Sequence, residues 1–150
     1  MNITLLKNTI EKILVAENTV ENKLQDICNL LASKISYYDW VGFYFKNGDK
    51  DELKLAQYSG EPTEHTIIPF GKGICGQVAV SNQNFVVQDV SKQDNYISCG
   101  WKVKSEIVIP IFVNSENVGQ IDIDSHSANP FTSKDEELLE YVCSKVSKIL

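Results

Sequence analysis

The sequence predicts an α+β fold: a mostly antiparallel sheet with N- and C-terminal helices packed on one of its faces. Three observations predict it. Apolar residues recur at three- and four-residue steps up to Ile35 and again after Thr132. The middle of the chain carries short β-rich runs separated by turn signals. The order is therefore helices, strands, helix, with short turns between strands, which implies antiparallel pairing.

The elements follow in order. Ile3, Leu6, Ile10, Ile13 and Leu14 keep helical spacing. Asn18-Thr19 offers a cap, and Val20, Leu24, Ile27, Cys28, Leu31 and Ile35 continue the same spacing. Trp40-Val41-Gly42-Phe43-Tyr44-Phe45 is aromatic and β-rich, Asn47-Gly48 is a turn signal, and residues 53–58 make the partner strand. Residues 76–80 form a short helix after a glycine-rich turn, and residues 85–87 a short strand. Residues 91–104 read as a polar loop carrying Cys99. Residues 106–113 and 118–124 are the two clearest strands. Thr132-Ser133-Lys134-Asp135 resembles a capping box with Asp135 in place of Glu or Gln. Leu138, Leu139, Val142, Cys143, Val146 and Ile149 then mark a closing amphipathic helix.

The register of the last hairpin follows from its pattern. Ile107, Ile109, Ile111 and Val113 share one face, and so do Ile121 and Ile123. A one-residue slip would expose one set, so Ile107 pairs with Ile123 and Ile109 with Ile121. Val113 then faces Asn117 across a three-residue turn, Asn114-Ser115-Glu116. In this register Glu106 sits opposite Asp124, and Asp122 shares their face. Like charges so placed repel. One reading is a solvated polar face neutralised by Lys102 or Lys104. The other is a site for a ligand cation, where repulsion raises at least one pKa and supplies a proton donor.

Composition narrows the function classes. The chain has 150 residues, which favours a single domain spanning 1–150. A domain of this size buries roughly 68–70% of its unfolded surface and needs no staple. The net charge of −6 argues against a nucleic-acid partner, which requires clustered Lys and Arg. No apolar run is long enough to span a membrane, and residues 1–7 do not read as a signal peptide. A cytoplasmic protein is expected, with its cysteines mainly reduced.

Cys28 and Cys143 fall on apolar helical positions and read as core. Cys75 sits in Gly71-Lys72-Gly73-Ile74-Cys75-Gly76, which lacks the spacing of a phosphate-binding loop. Cys99 lies in the polar loop just before the acidic strand. Two thiols beside an acid-rich pocket suggest thiol redox chemistry on a cationic small molecule. A metal held by Cys75, Cys99 and His65 or His126 is the alternative. The absence of a C-x-x-C pair and the presence of only two His weigh against zinc, so no metal and no organic cofactor are expected.

These residues resemble those of the free methionine-(R)-sulfoxide reductases, a family of stand-alone GAF domains. The resemblance runs through Trp40-Val41-Gly42-Phe43-Tyr44, the stretch from Ile68 through Pro69, Phe70 and Gly71 to Cys75-Gly76, Asp89-Val90 and Tyr96-Ile97-Ser98-Cys99. It continues through Ser105-Glu106-Ile107-Val108-Ile109-Pro110 and Ile121-Asp122-Ile123-Asp124-Ser125. It implies a GAF-like, six-stranded antiparallel sheet. It also implies that Cys99 attacks the sulfoxide sulfur and becomes a sulfenic acid. Glu106, Asp122 and Asp124 would then hold the free amino group and help protonate the sulfoxide oxygen. Trp40 and Tyr44 would line the thioether end, and backbone amides near Ile97 and Ser98 would take the carboxylate. Two positions depart from the family pattern. His65 stands where the family usually has a second cysteine, which leaves Cys75 as the resolving thiol, and Gly100 stands where an acid usually follows the catalytic cysteine.

The reading is thus a thiol-dependent reductase of a free, methionine-sulfoxide-like amino acid, regenerated by thioredoxin or a small thiol. The alternative is a non-catalytic GAF domain that binds a small ligand, a nucleotide or amino acid, as a sensor. A third is a structural protein whose amphipathic terminal helices form a homodimer interface.

Overall fold

The computed structural model describes residues 1–96 and 102–150. Two helices open the chain, α1 at Ile3–Val15 and α2 at Val20–Lys34. Each begins where a polar side chain takes up an orphan amide: Asn2 Oδ1 accepts from the Leu5 amide and Thr19 Oγ1 from the Asn22 amide. The strands are β1 at Trp40–Lys46, β2 at Glu52–Ser59, β3 at Ile67–Pro69, β4 at Phe85–Val87, β5 at Ser105–Val113 and β6 at Glu116–Ser125. A third helix, α3, spans Gly73–Ser81, and α4 spans Ser133–Val146.

The six strands form one antiparallel sheet in the order β3-β2-β1-β6-β5-β4. Because side chains alternate across a strand, this sheet has two distinct faces. One face presents Val41, Phe43, Ile107, Ile109, Ile111, Ile121 and Ile123 to the apolar stripes of α1, α2 and α4, and these form the larger core. Cys28 and Cys143 are buried in it, as their spacing predicts. The apolar stripes of the terminal helices are largely buried inside the fold. The other face presents Trp40, Tyr44 and Val108 to a smaller cluster with Ile74, Cys75 and Val78 of α3.

Several expectations need correction. The pairings Ile107–Ile123, Ile109–Ile121 and Glu106–Asp124 hold, but Val113 pairs with Glu116 rather than facing Asn117. The turn has two residues, Asn114 and Ser115, both with positive φ (51° and 66°). That sign suits the right-handed twist of a tight hairpin, and a register shift after Ile111 absorbs the extra residue of β6. The sequence reading omits β3, a three-residue edge strand too short for an alternation signal. It starts α3 at Gly76, whereas the helix begins at Gly73 (φ 62°), so Cys75 lies in the first turn of a helix rather than in a loop. A 3₁₀ turn at residues 90–92 overlaps the start of the expected polar loop, with Asp89 accepting from the Ser91 amide.

Candidate active site

The second face of the sheet carries the acid cluster. Glu106, Asp122 and Asp124 project from β5 and β6 in the register read from the sequence. They are only 3%, 2% and 3% exposed, which rules out the solvated polar face. Lys102, one proposed neutraliser, lies 3.8 Å from Glu61. Burying carboxylates is costly unless they are paired or protonated. Burial accordingly raises the Asp122 pKa, while hydrogen bonds with Glu106 and Cys75 oppose the rise. Among the described residues, Asp122 Oδ1 has no hydrogen-bond partner.

The first turn of α3 brings Cys75 onto this cluster. Its Sγ donates to Glu106 Oε2 at 3.6 Å. Burial pushes the thiol pKa up, and the charges of Asp122, Glu106 and Asp124 push it further. In this arrangement Cys75 is a neutral thiol. Gln120 secures the turn from below, its Nε2 donating to the Cys75 carbonyl at 3.0 Å.

Trp40 and Tyr44 wall the site from β1. Gly42 between them has no side chain, and a Cβ there would overlap the Trp40 ring. Trp40 Nε1 donates to the Glu61 carbonyl at 3.0 Å and Tyr44 Oη to the His65 carbonyl at 2.8 Å. The two rings therefore also fix the segment between β2 and β3. A cleft of about 520 Å³, its open mouth included, lies between Trp40, Tyr44, Asp122 and Asp124 on one side and Glu61, Thr63 and Val103 on the other. A smaller cavity of about 260 Å³ continues past Tyr44 and Asp122 to Cys75, Glu106 and His65.

Asn95 ties the segment before Cys99 to the helix of Cys75. Its side chain accepts from the Gly73 amide at 3.1 Å and donates to the Gly71 carbonyl at 2.7 Å. Ile97, Ser98 and Cys99 lie outside the described residues. The structure thus brings together six of the expected positions: Cys75, Glu106, Asp122, Asp124, Trp40 and Tyr44.

The sequence reading missed Asp39, and it weighed His126 only as a metal ligand, whereas the two meet at the mouth of the cleft. The His126 amide donates to Asp39 Oδ2 at 2.7 Å, and His126 Nδ1 lies 3.6 Å from Asp39 Oδ1. Their meeting depends on β1 pairing with β6, strands far apart in sequence, so no local signal announces it. Gln120 was findable, since it shares the alternation of Asp122 and Asp124.

Comparison with known proteins matches the model of the GAF domain over residues 19–150. The free methionine-R-sulfoxide reductase of Escherichia coli is 30% identical over 97% of this chain and 86% of its own. The structure of the free methionine-R-sulfoxide reductase from Neisseria meningitidis, in complex with its substrate, superposes with a TM-score of 0.92 at 31% identity, covering 98% of this chain and 87% of that one. The reduced form of the corresponding Staphylococcus aureus structure gives 0.91 at 34% identity, covering 99% and 95%.

Proposed function

We propose a function from this premise: the chain belongs to the GAF domain family and, within it, to the free methionine-R-sulfoxide reductases. It is an oxidoreductase that converts free methionine-(R)-sulfoxide, or a closely similar amino-acid sulfoxide, to the thioether. The observation that carries this is the trio of buried carboxylates facing a cleft walled by Trp40 and Tyr44. Such a trio needs a cation, and a free α-ammonium supplies one.

In this reading the ammonium sits among Glu106, Asp122 and Asp124. The thioether end lies against Trp40 and Tyr44, and amides near Ile97 and Ser98 take the carboxylate. Cys99 attacks the sulfoxide sulfur. Asp122, its pKa raised by burial, protonates the sulfoxide oxygen with Glu106 beside it. The oxygen then passes from the substrate sulfur to the Cys99 sulfur as the newly formed S–S bond breaks, so the thioether leaves reduced by two electrons and Cys99 is left as the sulfenic acid. Cys75 attacks that sulfur, forming a disulfide and releasing water, and thioredoxin or a small thiol reduces the disulfide. Glu106 accepts the Cys75 proton, since the two are hydrogen-bonded. An ammonium among the carboxylates also offsets part of the charge that keeps Cys75 protonated. The whole chain, 1–150, acts as one catalytic unit in the cytoplasm.

The test uses purified protein, racemic free methionine sulfoxide and excess dithiol. Half of the sulfoxide should be consumed, the N-acetylated compound should react poorly, and Cys99→Ser should abolish turnover. Retention of the amino acid without any reduction would replace this function with that of a ligand-binding sensor.

A further inference from the structure

We infer that Cys75, Glu106 and Asp122, with His65 on the same cavity wall, form a site for one borderline divalent cation of the zinc type, and that metal and amino acid exclude one another there. The first observation is geometric. One ligand atom from each of Cys75, Glu106 and Asp122 lies within 4.8 Å of the others. The Cys75 Sγ to Glu106 Oε2 distance is 3.6 Å. A tetrahedral zinc with bonds of about 2.3 Å to sulfur and about 2.0–2.2 Å to oxygen separates those two ligand atoms by about 3.6 Å. The edge of the coordination polyhedron is already drawn.

The second observation is independent of the first. Asp122 is 2% exposed and lines the cavity, yet its Oδ1 has no partner among the described residues. A buried acceptor without a donor is a standing cost that a bound group relieves. An ammonium relieves it from the cleft side. Sulfur, however, is a weak hydrogen-bond acceptor, so an ammonium gains little from Cys75. A thiolate with two carboxylates is instead a donor set that borderline metals favour, with water completing the coordination.

No linear motif announces this site. Its three donors come from α3, β5 and β6, and His65, which precedes β3, only lines the same cavity. The expectation of no metal rested on the missing C-x-x-C spacing and on the presence of only two His, neither of which registers donors brought together by sheet pairing. Binding is an exchange and not a redox step: the cation replaces the Cys75 thiol proton, which leaves to solvent, and no electrons move. Exclusion of the amino acid follows because both cations need Asp122 and Glu106. That half of the inference rests on the proposed function, whereas the metal site does not.

The experiment titrates the full chain, reduced and metal-free, with Zn²⁺ against a chromophoric chelator, and records the near-ultraviolet spectrum with Co²⁺. A single equivalent should bind, with a thiolate-to-cobalt charge-transfer band. Cys75→Ser and Asp122→Asn should each weaken binding by roughly tenfold or more. Cys99→Ser should retain both binding and band, and in that variant free methionine sulfoxide should bleach the band. Absence of stoichiometric binding or of the band in the unmodified chain overturns the site, whatever the variants do. So does binding that survives Cys75→Ser or is lost in Cys99→Ser. A band indifferent to the amino acid overturns the exclusion. A band in protein whose metal-free form reduces no sulfoxide supports the site and refutes the proposed function, so the two fail separately.

Discussion

Asp122, a substrate-binding residue in the proposed function, carries a cost in stability. Burial raises its pKa above the ordinary aspartate value of 3.8. The folded protein therefore takes up a proton more readily than the unfolded chain does. Stability from this group is fully present below the unfolded value and is lost as pH rises through the folded one. Asp122→Asn keeps the shape of the protonated form without the charge. At neutral pH it should be more stable than the parent by roughly 1–3 kcal/mol, the range for an unsatisfied buried polar group. The difference should vanish as pH falls toward 3.8, where the parent's carboxyl is itself protonated. Paired thermal melts across that window check the claim; a variant less stable at neutral pH, or an offset indifferent to pH, would refute it. The same variant should bind a free amino acid more weakly.

At the scale of an element, the start of α4 shows why its sequence departs from the usual capping box. Asp135 replaces Glu or Gln, and its Oδ2 still accepts from the Thr132 amide at 2.8 Å. Its Oδ1 meanwhile accepts from Tyr37 Oη at 2.9 Å and Tyr38 Oη at 2.7 Å. One buried carboxylate thus caps α4 and anchors the segment that leads into β1, the strand of Trp40 and Tyr44. Asp135→Ala should lose the cap, worth about 1 kcal/mol. It should also orphan the buried Tyr38 hydroxyl at a cost of about 1–3 kcal/mol. Chemical denaturation measures the sum. A loss below the cap alone would mean that the tyrosines find other partners.

Across the whole molecule, the sheet separates two layers of unequal strength. The helical layer buries three amphipathic helices against isoleucine-rich strands, whereas the site layer packs one short helix and connecting segments over carboxylates. Opening free energy follows buried apolar contact, so the site layer should open first. Native-state amide exchange should show β3 and α3 exchanging well before the paired amides of β1 and β6, and before α4. Equal protection across both layers would mean that the molecule opens only as one unit. The larger core on one face thus lets the other face carry unfavourable charge.

The sequence by itself determined the α+β class, the helical layer and the hairpin register that aligns Glu106 with Asp124. These are legible because helical periodicity and strand alternation are local, and because a register slip would expose every isoleucine on one strand. The capping residues Thr19 and Thr132 are legible for the same reason. The tertiary structure decided the rest. Pairing of β1 with β6 places Trp40 beside Asp124 and Asp39 beside His126. Docking of α3 lowers Cys75 onto Glu106, and only burial reveals that the three acids form a concealed cluster and not a wetted surface. Local spacing cannot encode a contact between distant strands, nor the loss of water that gives such a contact its chemical force.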